Sequence, residues 1–200
     1  MARLVSDAGP LIHLAQANKL YLLERLFSQV SITPDSKKEA YDQGVRLGHH
    51  DAEIIGEAIQ EWITIEALPQ TVLLASKKLA EGENISEADA GTLLLAVERR
   101  AEILVDEKVL SDLAKMHGLK VWNTWTTLLE SLRRGLIQIA DIESAITELG
   151  EKRHKLTDKQ AAEILNAARQ MTSPKHEREK EADTKAYGLE STWTKNLISS

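Results

Sequence analysis

Cysteine is absent from the 200 residues of this chain, which excludes disulfides, cysteine-ligated zinc and thiol nucleophiles. Aromatic residues make up only 4%, with a single Phe and Trp at 62, 122, 125 and 193. A core built from this chain must therefore be mostly Leu, Ile, Val and Ala. No stretch approaches the ~18 uninterrupted apolar residues of a membrane span. The opening MARLVSDAGPLIHLAQ meets Asp7 before any apolar run of signal length is complete, so the expectation is a soluble cytoplasmic protein with no membrane partner. A phosphate-binding glycine-rich loop and a nucleophile-elbow serine are missing as well.

Basic charge is short in the main body. Residues 1–150 carry 15 Lys and Arg against 23 Asp and Glu, whereas residues 151–200 carry 10 against 8. Passive coating of nucleic acid, which needs cations opposite phosphates, is disfavoured. An enzyme that meets phosphates through metal ions is not. The 42% hydrophobic content supports a real core, and the length fits one domain with an appendage.

What the chain does have is alternation. Short runs at Leu4–Ser6, Gln29–Ile32, Trp62–Glu66, Glu102–Val105 and Leu119–Trp122 predict strands. Between them, Pro10–Gln16, Lys19–Phe27, Pro34–Leu47, Ala52–Glu61, Gln70–Glu81, Ser86–Arg100 and Leu110–His117 predict helices. This alternation points to an α/β fold with a parallel sheet covered on both faces. Thr33-Pro34 and Ser86 read as helix starts, and Gly118 as a left-handed helix stop. After residue 138, Ile139, Ile142, Ile146 and Leu149 recur at helical spacing, and Thr157 with Gln160 opens a second helix ending at Met171. The organisation expected is a main domain over 1–138, a helical hairpin over 139–171 and a mobile tail over 172–200, where little can be buried. The hairpin's single apolar face suits either the main domain or a partner.

In a parallel sheet, ligands bind beyond the carboxyl ends of the strands. Asp7 directly follows the first predicted strand and Asp106 the fourth; Asp89 and Glu39 lie in the first turns of helices that begin at the same rim. Each has a plain alternative: Asp7 and Asp106 as turn residues, Asp89 as a helix-start acid, Glu39 as a solvated side chain. Converging carboxylates repel unless a cation holds them, and oxygen-only ligation selects Mg²⁺ or Mn²⁺ over zinc. Metal-assisted phosphodiester hydrolysis is the reaction class that follows.

The segments VSDAGPLIHLA, TPDSKKEA, ISEADAGTLLLAVE and ILVDEKVLSDLAKMHGLKVWNT, within residues 3–137, resemble the PIN-domain family, in particular the prokaryotic branch that includes VapC-type toxins. The resemblance implies a three-layer Rossmann-like fold with a central parallel sheet. It also implies an Mg²⁺- or Mn²⁺-dependent ribonuclease in which Asp7, Glu39, Asp89 and Asp106 are both catalytic and metal-binding. Glu87 and Glu107 are neighbouring acids that could assist. The partners implied are an RNA substrate, a cognate antitoxin and a second copy of the chain. Two positions depart from the pattern: Ala8 stands where Ser or Thr often follows the first Asp, and Ser36 where an apolar residue commonly precedes the Glu.

Other residues read more blandly. His49, His50 and Asp51 suit a solvated connector rather than a metal cluster, and His13 a packed or partly exposed side chain rather than a general base. Trp122 and Trp125 could stack on bases, though Trp122 ends a predicted strand and reads as core. Lys108, Arg99 and Arg100 could steer phosphates but read first as solvated helix surface, as do Arg133 and Arg134. A catalytically silent interaction module and a receiver-like regulatory domain are the competing classes.

Overall fold

The computed structural model describes residues 2–152 and 156–172. Five strands, β1 (Arg3–Ser6), β2 (Gln29–Ile32), β3 (Ile63–Ile65), β4 (Glu102–Leu104) and β5 (Val121–Trp122), form one sheet in the order β3-β2-β1-β4-β5. All neighbours are parallel, with Leu4 opposite Val30 on one side and Glu102 on the other. A receiver-like domain is excluded by this order, because its first strand would sit between the second and third.

The helices are α1 (Ala8–Gln16), α2 (Leu22–Leu26), α3 (Pro34–Lys37), a π-helical turn (Lys38–Gln43), α4 (Gly44–Leu47), α5 (His50–Glu61), α6 (Gln70–Glu83), α7 (Glu87–Arg99), α8 (Lys108–Met116), α9 (Thr124–Arg133), α10 (Ile139–Glu151) and α11 (Asp158–Met171). Side chains alternate across each strand, so the sheet divides the core in two. Leu4, Ile32 and Leu104 pack with Leu11, Leu23, Ile55 and Leu128 on one face. Val5, Ile103 and Val105 pack with Leu93, Leu110 and Ala114 on the other. The three central strands β1, β2 and β4 are buried on both faces, whereas the edge strand β3 leaves Thr64 and Ile65 exposed.

The expected helix stops and starts are present. Thr33 and Ser86 cap α3 and α7, Gly118 follows α8 at φ 74°, and Thr157 caps α11 reciprocally with Gln160. Ile142, Ala145, Leu149 and Ala168 of the hairpin are buried in the same core as α1 and α9, and Lys19 Nζ reaches Asp141 Oδ1 at 2.8 Å. The expected mobile tail, with Trp193, lies outside the described residues apart from Thr172.

Four expectations change. The helix predicted over Lys19–Phe27 shrinks to α2, because Asn18 takes a left-handed φ of 52° and Lys19–Tyr21 form turns. The span Pro34–Leu47 is helical but contains the π turn. Ser36, Ala40 and Gly44 are all buried; in an ideal α-helix each step of four rotates by about 40°, and one wider turn counters that drift. His49–Asp51 is not a loop: His49 caps α5, His50 opens it and pairs with Glu53 at 2.9 Å, and Asp51 is buried. Helix α9 was absent from the predicted elements. Its start is set by Asn123, whose Oδ1 accepts the Thr126 N–H at 2.8 Å while Thr126 Oγ1 accepts the Asn123 N–H at 2.8 Å.

Candidate active site at the carboxyl ends of β1 and β4

The chain leaves β1 for β2 and β3 on one side and returns to β4 on the other. The gap beyond β1 and β4 is therefore the sheet's switch point, where open α/β folds bind ligands. The Asp7 amide donates to the Leu104 carbonyl at 3.0 Å, so the β1–β4 pairing continues to the start of the site. Asp7 occupies the cap position of α1 with an extended backbone and is half-buried. Burial pushes its carboxyl up to about 6; the amides of Ala8 and Gly9 oppose this, and the charges of Asp89 and Glu39 reinforce it.

Glu39 sits on the π turn with an exposed side chain. Its carboxyl is also raised, by loss of surrounding water and then by Asp89 and Glu107. Asp89 has a second duty: its Oδ2 accepts the Ser86 N–H at 3.3 Å while its own N–H donates to Ser86 Oγ at 3.0 Å. The helix-start role weighed for Asp89 is real and coexists with its place beside Asp7 and Glu39. The charges of Asp89 and Glu39 thus reach Asp7, and those of Asp89 and Glu107 reach Glu39.

Ser36 explains how α3 and α7 hold their acids in register. Its hydroxyl lies 3.0 Å from Thr33 Oγ1 and 3.2 Å from Thr92 Oγ1, and all three groups are buried. Ser36 is one turn before Glu39 and Thr92 one turn after Asp89, so this hydroxyl cluster clamps the two helices beside the acids. The polar departure at position 36 is paired with a polar partner on α7.

Asp106 is held differently. Its Oδ1 accepts the Thr124 N–H at 2.8 Å, and its Oδ2 accepts the Thr124 hydroxyl at 2.7 Å and lies 2.6 Å from His13 Nδ1. Burial works to raise this carboxyl, but His13 and the Thr124 amide and hydroxyl outweigh it and hold the group below its ordinary range. His13 is indeed packed, with its side chain 17% exposed, but its contact with Asp106 was not foreseen. Thr124 was missed altogether. The Asn123-Thr124 start of α9 directly after β5 was the signal that could have found it.

Among the described residues, no three His, Asp or Glu side chains stand close enough to hold an ion as they are. The donor chemistry still fits a hard divalent cation. Asp7, Glu39 and Asp89 offer only carboxylate oxygen, and the charges acting on Asp7 and Glu39 are acidic. Four of the five basic residues considered have partners: Lys108 Nζ meets Asp112 Oδ2 at 2.5 Å, Arg99 Nε meets Glu66 Oε2 at 2.6 Å, and Arg133 and Arg134 both reach Glu130. Trp122 packs edge-on against Phe27, as a core residue should. Among the described residues no helix is long and apolar enough to cross a membrane.

Residues 3–170 match a family model described as DUF3368: PIN domain. No curated protein matches the chain. Two similar solved structures are a PilT N-terminus domain protein, SSO1118, from the hyperthermophilic archaeon Sulfolobus solfataricus P2, and PAE2754 from Pyrobaculum aerophilum. The first is 18% identical over 65% of this chain and 93% of its own, with a TM-score of 0.43. The second is 19% identical over 64% of this chain and 88% of its own, with a TM-score of 0.47.

Proposed function

The chain belongs to the PIN-domain family, and on that premise we propose that it is a divalent-metal-dependent ribonuclease, the toxin half of a toxin–antitoxin pair. Its catalytic and metal-binding residues are Asp7, Glu39, Asp89 and Asp106. PIN domains are in general nucleases that use divalent metals. The observation that carries the reading is that Asp89 raises the proton affinity of both Asp7 and Glu39, and Glu39 that of Asp7, from three separate elements. Such a trio is unfavourable until a cation completes it.

Mg²⁺ or Mn²⁺ supplies Lewis acidity toward a phosphoryl oxygen and a more acidic water. Asp7 and Asp89, rigid at the starts of α1 and α7, are the residues that would hold it, with Asp106 at the adjoining strand end. Glu39, the more exposed acid, is free to orient a water. His13 and Thr124 fix the Asp106 carboxylate, so its negative charge is present and aimed before substrate arrives.

The deciding assay is cleavage of a labelled RNA in Mn²⁺. Wild type cuts, and Asp7→Asn loses several orders of magnitude in rate; equal cleavage by the two proteins ends the assignment. A cognate antitoxin from a neighbouring gene relieves growth arrest when co-expressed, and self-association is read by light scattering. The three hydrogen bonds already made to Asp106 favour one second reading, a silent PIN-like interaction module. No cleavage together with no metal-induced stabilisation selects it.

A further inference from the structure

Beside Asp106 lies a cavity of about 360 Å³, walled by the start of α9, the end of α10 and the start of α11. The size is at the lower end of the ~300–1,000 Å³ usual for ligand pockets, too small for a folded RNA element and adequate for one base with its sugar. Trp125, half-buried and packed against the core, presents an indole to it. Leu149 and Leu156 supply apolar wall, and His13 with Asp106 forms the side toward the acids.

Two amides on the rim give the pocket a definite polarity. Asn123 Oδ1 accepts the backbone N–H of Thr126 at 2.8 Å, and Gln160 Oε1 accepts the backbone N–H of Thr157 at 3.0 Å. A backbone N–H can be accepted only by the amide oxygen, so both orientations are fixed by capping. Neither amide nitrogen has a hydrogen-bond partner among the described residues. The pocket therefore offers two N–H donors and a π surface, and among the described residues no Lys or Arg lines it. The Asp106 carboxylate on its wall, already engaged by His13 and Thr124, favours a neutral group over an anion there. A flat neutral group with acceptors on its edge is the fitting occupant.

We propose that this cavity seats one nucleobase of the RNA substrate, stacked against Trp125 and read by the side-chain N–H groups of Asn123 and Gln160. The C-terminal hairpin then sets the base preference beside the cut. The proposal rests on the ribonuclease reading for its substrate, though not for the pocket's chemistry. Single-stranded bases are commonly recognised by aromatic stacking plus edge hydrogen bonds. Guanine, whose N7 and O6 are adjacent acceptors with no donor between them, matches two donors best.

Two variants separate the donors from the helix caps. Gln160→Glu keeps an acceptor for Thr157 and loses the N–H; Asn123→Ser keeps a cap oxygen for Thr126 and loses the N–H. The first measurement is an NMR titration of the full chain with GMP, AMP, CMP and UMP, without metal. GMP is expected to shift the Trp125 indole and the Asn123 and Gln160 side-chain amide signals, and both variants to weaken that binding at least fivefold. No nucleotide-dependent shift at these three residues overturns the proposal.

The second measurement sequences the cut ends from a randomised RNA pool in Mn²⁺ and reads the ratio among bases rather than the total rate. Wild type is expected to favour guanine at a flanking position, and the variants to flatten that ratio toward unity. An unchanged ratio overturns the proposal. If the pool is not cut at all, the ribonuclease reading fails by itself, and the titration alone decides whether the pocket binds a base.

Discussion

Replacing Asp7 by Asn is expected to stabilise the metal-free protein while removing its activity. The carboxyl goes from an ordinary value of 3.8 to about 6 in the fold, mainly through burial, with Asp89 and Glu39 adding to it. Two pKa units correspond to about 3 kcal/mol, an upper figure for a half-buried group. Between these two values the folded chain keeps a proton on Asp7 that the unfolded chain has released. Stability from this group is therefore fully present below pH 3.8 and is lost as pH rises through about 6. Asn has the same shape, remains a good N-cap and carries no charge. In EDTA, urea unfolding should give the two proteins similar stability near pH 4, with the variant ahead by ~2 kcal/mol at pH 8. Adding Mn²⁺ should reverse the order, since metal at a hundred times its Kd stabilises the protein that binds it by about 2.7 kcal/mol. A difference that stays flat from pH 4 to pH 8, or a variant less stable at pH 8, refutes the repulsion argument.

Thr92→Val should cost about 1 kcal/mol by breaking the buried contact with Ser36, and Ser36→Ala a similar amount. Unfolding of the double variant should fall short of the sum, because both changes disrupt one cluster. Thr124→Val removes a hydroxyl donor from a charged acceptor and should cost ~1.5–3 kcal/mol at pH 7, whereas Thr124→Ser should cost much less. That cost should shrink as pH falls below about 4, since Asp106 is held low in the fold and its stabilisation is lost as it protonates. Gly44→Ala should destabilise despite a helix-propensity gain of ~1 kcal/mol. Its new Cβ would lie 2.6 Å from Ala52 Cβ, and thermal unfolding of Gly44→Ala/Ala52→Gly should recover most of the loss.

The parts of this protein that read from sequence are those in which neighbouring residues state their own roles. Asp7 and Asp106 could be located because each follows a short apolar run, and a parallel sheet collects the residues after such runs at one rim. Ser86, Thr157 and Gly118 could be read because caps and left-handed stops are local chemistry. The π turn could not, since one widened turn leaves composition and approximate spacing intact and shows itself only through packing against α5. The His13–Asp106–Thr124 contacts were hidden for another reason. They join α1, the end of β4 and the start of α9, and only the sheet order brings those three together. Ser36 looked like a departure from a family pattern until Thr92 supplied its partner from 56 residues away.

Asp7 and Asp106 leave adjacent strands yet are tuned in opposite directions, which divides the rim into two kinds of site. Asp106 has its charge satisfied by an amide, a hydroxyl and an imidazole, so it persists as a carboxylate without any added ion. Asp7, Glu39 and Asp89 repel one another, and that repulsion would favour a cation there. The stable half of the rim belongs to the wall of the cavity that Trp125, Asn123 and Gln160 complete, while the frustrated half faces α3 and α7. With a substrate base in the proposed cavity, its phosphate would lie near Asp106, and a cation held by the trio would offset the phosphate charge. Positioning and charge compensation then rest on different residues. A change in the cavity should alter which bond is cut, and a change in the trio should alter whether any bond is cut.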